Sequence, residues 1–175
     1  TEAIVDLTDC VFQHSESMFF FDCDVILKNC QFVENFGNRG GALYLSKVTL
    51  NIDACKFIRN KAKNNGGAIY IRESIDDYQS EIQRSCFIDN TAGVNGTAFY
   101  GYWADVILHD NCFSDSEENA IFEFRSNNTK SKNEFNSRCS ELSKLNPVTE
   151  DFDPVKADPD YDIDVNVEPN SWIEL

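Results

Sequence analysis

The feature that most constrains this chain is a phrase that it writes repeatedly. "NRGGALYL" at residues 38–45 returns as "NNGGAIYI" at 64–71, then drifts to "GTAFY" at 96–100 and "ENAIF" at 118–122. A second phrase runs ahead of them as "CVFQHS" (10–15), "CQFVEN" (30–35), "CKFIRN" (55–60), "SCFIDN" (85–90) and "NCFSDS" (111–116). Its anchors Phe12, Phe32, Phe57, Phe87 and Phe113 stand 20, 25, 30 and 26 residues apart. A catalytic loop needs writing once, whereas a structural unit is written in every copy.

Each unit holds about three short runs rich in β-branched and aromatic residues, punctuated by Gly, Asn and Asp, with little helical periodicity. A unit this small cannot bury its own apolar face and has to stack on its neighbours. Successive strands then pair in parallel. The pattern predicts an all-β fold, a single-stranded parallel β-helix of about five coils at ~4.8 Å each, over residues 1–126.

Alternation places Cys55 and Phe57 on one face of their strand and Lys56 on the other. Phe12, Phe32, Phe57 and Phe87 are therefore expected to stack inward, beside a thiol column of Cys10, Cys30 and Cys55 that acts as packing. Disulfides between stacked thiols are disfavoured, because strands ~4.8 Å apart hold Cβ atoms wider than the usual 3.5–4.5 Å. Cys86 and Cys112 fall one place later, in the Lys56 phase, where pairing stays open. Asn35, Asn60 and Asn90 close each anchor strand; Asn tolerates left-handed backbone, and its amide can bond to the coils above and below.

The glycine pairs Gly40–Gly41 and Gly66–Gly67 allow positive φ and close backbone approach at the next corner. A phosphate cradle would need a following helix and usually a Lys, and neither is present. With Leu43, Ile69, Phe99 and Ile121 facing inward, Tyr44, Tyr70, Tyr100 and Phe122 form an outward aromatic column. Tyr102 and Trp103 lie near it, and these six are the candidate residues for contact with a sugar or a protein.

At these residues the chain resembles a known repeat family. F-x-x-N (Phe32 to Asn35, Phe57 to Asn60, Phe87 to Asn90) combined with G-G-A-[ILV] (Gly40 to Leu43, Gly66 to Ile69) is similar to the repeat of chlamydial polymorphic outer membrane proteins. Adhesin-like surface proteins of methanogens and protists carry similar repeats. The resemblance spans roughly residues 4–124. It implies a right-handed parallel β-helix displayed outside the cell in adhesive or scaffolding roles, and it transfers no catalytic residue.

The net charge of −15 argues against nucleic acid as a partner and for a basic or cation-bridged one. No apolar run is long enough to span a bilayer. Beginning at Thr1 with neither an initiator Met nor a signal sequence, the chain reads as a processed or partial form. Seven cysteines without a C-x-x-C suggest neither a zinc ribbon nor a thioredoxin-like motif.

Beyond the repeats, residues 127–146 read as a polar connector and residues 147–175 as an extended acidic tail. In "ADPDYDIDVNVEP" the carboxylates alternate with Tyr161, Ile163, Val165 and Val167, which together with Trp172 form a candidate docking face. A calcium loop of the EF-hand type needs Gly at its sixth place and Glu at its twelfth; counted from Asp158 these hold Ile163 and Pro169, so no metal site is expected.

The carboxylate pairs Asp22–Asp24, Asp76–Asp77 and Asp105–Asp110 do not recur beside His14 or His109 in a way that marks a cleft. A polysaccharide lyase or hydrolase is therefore the least favoured reading, and neither catalysis nor a cofactor is expected. The favoured expectation is a structural or adhesive module at the cell surface or outside the cell, touching a protein or a glycan. The rival is a subunit of a larger assembly, in any compartment, whose acidic tail docks on a neighbour. The sequons at Asn95 and Asn127 are glycosylation candidates if the chain is secreted.

Overall fold

The computed structural model describes residues 3–74, 80–126 and 129–135. The first strands are β1 (Ala3–Thr8), β2 (Val11–Gln13), β3 (Met18–Lys28), β4 (Gln31–Val33), β5 (Phe36–Gly37), β6 (Leu43–Asp53), β7 (Lys56–Ile58) and β8 (Lys61–Ala62). There follow β9 (Ile69–Ser74), β10 (Ser80–Gln83), β11 (Cys86–Ile88), β12 (Thr91–Ala92), β13 (Phe99–Tyr102), β14 (Val106–His109) and β15 (Cys112–Phe113). A short helix α1 (Glu117–Ala120), β16 (Ile121–Phe124) and β17 (Thr129–Ser131) complete the described elements.

The protein is all-β with parallel sheets, but the expected right-handed single-stranded β-helix with three short strands per unit is overturned. One nine-stranded sheet dominates and is curled as a half-barrel, with five- and three-stranded sheets beside it. The reason lies in β3 and β6. Each runs for 11 residues straight through a position where a corner was expected. That corner is a single left-handed residue, Asp22 (φ 54°) or Lys47 (φ 53°), too short to interrupt pairing. β9 pairs with the first part of β6 and β10 with its last part, so two strand rows fuse into one curled sheet.

The repeats themselves set the register. Phe12, Phe32, Phe57, Phe87 and Phe113 are direct cross-strand partners, with ring centroids 4.9–5.1 Å apart. Phe135 adds a further ring 5.0 Å beyond Phe113, and β17 pairs with β14, so the stack continues past residue 126. Phe32 and Phe57 are fully buried, each contributing about 2–3 kcal/mol of apolar burial. Leu43, Ile69, Phe99 and Ile121 face the core, as do Leu27, Ile52, Ile82 and Leu108.

Two polar ladders satisfy the backbone at the corners. The Asn60 amide oxygen accepts from the Asn35 N–H (3.0 Å) and the Asn35 amide (3.1 Å), while its own Nδ2 donates to the Phe32 carbonyl (2.9 Å). Asn90 serves Asn60 in the same way, and Asn35 serves Ser15. The left-handed residue, however, is the one before each Asn: Glu34, Arg59 and Asp89, with φ of 50–53°. The Asn side chains point inward as rungs, and the neighbour takes the strained backbone.

The thiol column is the second ladder. The Cys30 N–H meets Cys55 Sγ at 3.4 Å, the Cys55 N–H donates to Ser85 Oγ, and the Ser85 N–H donates to Asn111 Oδ1. Asn133 continues it. Sulfur, hydroxyl and amide oxygen thus fill one acceptor role in successive layers. Cys112 is disulfide-bonded, while Cys86, its cross-strand neighbour, is free, so these two do not pair with each other.

Burial pushes the Cys55 thiol up to about 12. We expect iodoacetamide at pH 8 to leave Cys55 unmodified in the folded protein and to label it once urea unfolds the chain, as read by peptide mass spectrometry. The unfolded thiol ionises near its ordinary value of 9.0, so the stability carried by this group is present below that pH and is lost between about 9 and 12.

Candidate functional site

Parallel, in-register stacking turns any repeated aromatic into a column. Tyr44, Tyr70, Tyr100 and Phe122 form one, extended by Phe19, with centroids 5.1–5.2 Å apart. They occupy the sheet face opposite the core, but the column is covered rather than open. Tyr70 and Tyr100 are only 5 % and 8 % exposed, and the Arg39 guanidinium lies 5.7 Å from the Tyr70 ring centroid. Burial pushes the Tyr70 phenol up to about 12, with Arg39 opposing the rise, so it stays neutral at physiological pH. Only the end of the column at Phe19, 59 % exposed, meets solvent freely.

A second column two residues along is the more accessible one. It holds Phe21, Ser46, Arg72, Tyr102 and Phe124. Tyr102 stacks on Phe124 at 5.3 Å and lies 6.3 Å from Trp103. Trp103 is 51 % exposed and Phe124 40 %. The Arg125 guanidinium reaches across both rings, 5.3 Å from the Trp103 centroid and 5.4 Å from that of Phe124. An arginine over an indole is a favourable cation–π pair and leaves its N–H groups free to meet an acceptor.

Trp103 sits in the left-handed region at φ 52°. The same corner of other layers holds Asp22, Lys47, Glu73 and Arg125. A bulky residue there is an outlier, and strain of this kind is retained where the surroundings over-determine it. The Trp103 backbone N–H donates to the Phe124 carbonyl (3.0 Å), which fixes this corner against the next layer.

Of the candidate binding residues, the structure brings Tyr102 and Trp103 into this exposed cluster, buries Tyr70 and Tyr100, and leaves Tyr44 and Phe122 half-buried on either side of them in the first column. Phe124 and Arg125 were not singled out from sequence. Aligning "IFEF" (121–124) with "FYGY" (99–102) would have put Phe124 on Tyr102. Tyr161, Ile163, Val165, Val167, Trp172 and Asn127 lie outside the described residues, as do Asp76 and Asp77. His14 lies beside Glu34 (3.3 Å) and His109 beside Asp110 (3.0 Å), at separate corners. Among the described residues, no group of three His, Cys, Asp or Glu side chains could hold a metal, and no helix is long and apolar enough to cross a membrane.

No protein-family model, curated protein or solved structure matches this chain.

Proposed function

We propose that the chain is a non-catalytic binding module, displayed at a cell surface or outside the cell, that contacts a glycan or a protein through Tyr102, Trp103, Phe124 and Arg125. The strained, half-exposed Trp103 carries this reading. The layers on either side place charged residues, Glu73 and Arg125, at that corner, whereas here an indole stands 51 % exposed beside Tyr102 and Arg125. An indole face beside a second ring suits C–H stacking on a sugar or an apolar side chain, and Arg125 supplies donors for a carboxylate or a hydroxyl. The F-x-x-N and G-G-A-[ILV] resemblance supports display outside the cell. So does the disulfide at Cys112, since such bonds persist in oxidising compartments.

The test is retention on a glycan array and on intact cells, comparing wild type with Trp103→Ala and Arg125→Ala. Trp103→Ala keeps a Cβ at the left-handed corner and loses only the exposed contacts with Tyr102 and Arg125, so it should cost about 1 kcal/mol of stability or less, yet lower retention at least tenfold. Equal retention of wild type and Trp103→Ala would sink the proposal.

A second reading, a subunit of a larger assembly, is favoured by the asymmetry of the two ends of the stack. Ile4, Val11, Phe19 and Phe21 are 51–65 % exposed around edge strands β1 and β2. At the opposite end, Lys130 bridges Glu117 and Glu123 in a polar arrangement. An apolar parallel edge is a ready template for another chain. Light scattering of wild type against Val11→Lys separates the two readings, because only an assembly subunit loses mass on that substitution.

A further inference from the structure

We propose that Asn95 carries an N-linked glycan whose first sugar lies over the shallow depression beside Val94 and Phe122. This rests on the reading above that the chain passes through a secretory route. Successive layers write Asn38-Arg39-Gly40-Gly41, Asn64-Asn65-Gly66-Gly67 and Val94-Asn95-Gly96-Thr97. The third Gly of this series, Gly96, keeps the left-handed backbone at φ 64°, like Gly40 and Gly66. The next position departs.

In the first two layers that position has to be glycine. A Cβ on Gly41 would lie 2.1 Å from the Gly67 carbonyl oxygen, and one on Gly67 would lie 2.0 Å from that of Thr97. At Thr97 the next layer is α1 instead of another glycine corner. The Thr97 N–H donates to the Asn119 carbonyl (2.8 Å), and the hydroxyl reaches Asp115. A side chain fits there, and its hydroxyl finds partners in Asp115 and the Asn119 carbonyl. This threonine completes Asn-Gly-Thr, the acceptor sequence for N-glycosylation.

The geometry of Asn95 agrees with that role. The Asn65 amide oxygen accepts from the Asn95 backbone N–H (3.2 Å), and the Asn64 amide is tied to Asn38. The Asn95 side-chain amide makes no hydrogen bond to any described residue and is half-exposed. It borders a depression of ≈ 90 Å³ that is also lined by Val94, Thr97, Glu118, Asn119 and Phe122. Val94 is 62 % exposed where the two layers before it carry Asn. A mixed lining, in which Val94 and Phe122 offer apolar contact and Glu118 and Asn119 offer polar groups, suits an N-acetylhexosamine ring, which has both an apolar face and hydrogen-bonding edges.

The step needs a lipid-pyrophosphate-linked oligosaccharide as donor. Asn95 Nδ2 forms a bond to the anomeric carbon of the first sugar, the bond from that carbon to the pyrophosphate oxygen breaks, the lipid pyrophosphate leaves, and the amide releases one proton. Transfer takes place on the extended chain, before the Thr97 hydroxyl is taken up by Asp115.

The experiment is expression of the full chain behind a secretion leader in a eukaryotic cell, in an Asn127→Gln background that removes the other sequon. Secreted and cell-retained pools are both mapped by mass spectrometry before and after peptide:N-glycosidase. The expected result is one glycan on Asn95, absent from Asn95→Gln and from Thr97→Ala. An unmodified Asn95 in both pools overturns the proposal. The Trp103 binding assay is read on the same material, so loss of the binding reading and loss of the glycan are separate outcomes.

Discussion

Asn60→Ala is expected to cost about 3–5 kcal/mol. Asn60 is fully buried, and its amide makes four hydrogen bonds across three layers. Alanine removes an acceptor from the Asn35 N–H and from the Asn35 amide, and a donor from the Phe32 carbonyl and from Asn90. The Asn35 N–H is then buried without a partner, and an orphaned group of that kind costs about 1–3 kcal/mol by itself. Asn35→Ala is the internal comparison. Its oxygen serves the Ser15 N–H and hydroxyl, close to the exposed end, where water can replace it. That substitution should cost about 1–2 kcal/mol. Urea unfolding with unchanged m-values measures both. An Asn60→Ala midpoint within about 1 kcal/mol of wild type would show that the ladder is ornamental.

These ladders also show which part of the structure was legible in the sequence. Asn35, Asn60 and Asn90 could be aligned because they sit at a fixed distance after Phe32, Phe57 and Phe87, and the cross-strand register follows that alignment. Of the other ladder only the thiol column was legible, and only as packing, because its rungs change chemistry from Cys30 and Cys55 to Ser85, Asn111 and Asn133. A hydrogen-bond acceptor is conserved in that column while the residue type is not, and pattern matching tracks residue type. The curl of the main sheet was invisible for a different reason. Whether Asp22 or Lys47 ends a strand or merely bends it depends on one φ angle, and neither residue advertises a left-handed conformation as glycine does. The same blindness affected the site. Alternation showed that Tyr70 and Tyr100 face away from the core, yet it could not say that they are covered. The exposed cluster depends on Phe124 and Arg125, which lie in the least faithful copy of the repeat.

Gly67→Ala is expected to be at least as damaging as loss of Asn60, about 4 kcal/mol or more, although it adds one methyl group. The added Cβ would meet the Thr97 oxygen at 2.0 Å and the Thr91 carbonyl carbon and oxygen at 2.7 Å. All three are backbone atoms of the next layer. That layer is held by Gly67 N–H to Gly96 O at 2.9 Å and Ala68 N–H to Ala98 O at 3.1 Å, so it cannot recede without breaking bonds that define the stack. Gly101→Ala separates this cause from the general cost of replacing a glycine. A Cβ there meets only the Phe99 ring at 3.2 Å and the Ser126 hydroxyl at 3.3 Å, side-chain atoms able to shift by a few tenths of an ångström. It should cost about 1 kcal/mol or less. Thermal unfolding compares the two variants, with soluble yield as the readout if Gly67→Ala shows no cooperative transition. Equal destabilisation of both would mean that the close approach at the glycine corner does not limit how tightly the layers stack. A large gap would identify that approach as the reason the phrase "GGA" had to be written more than once.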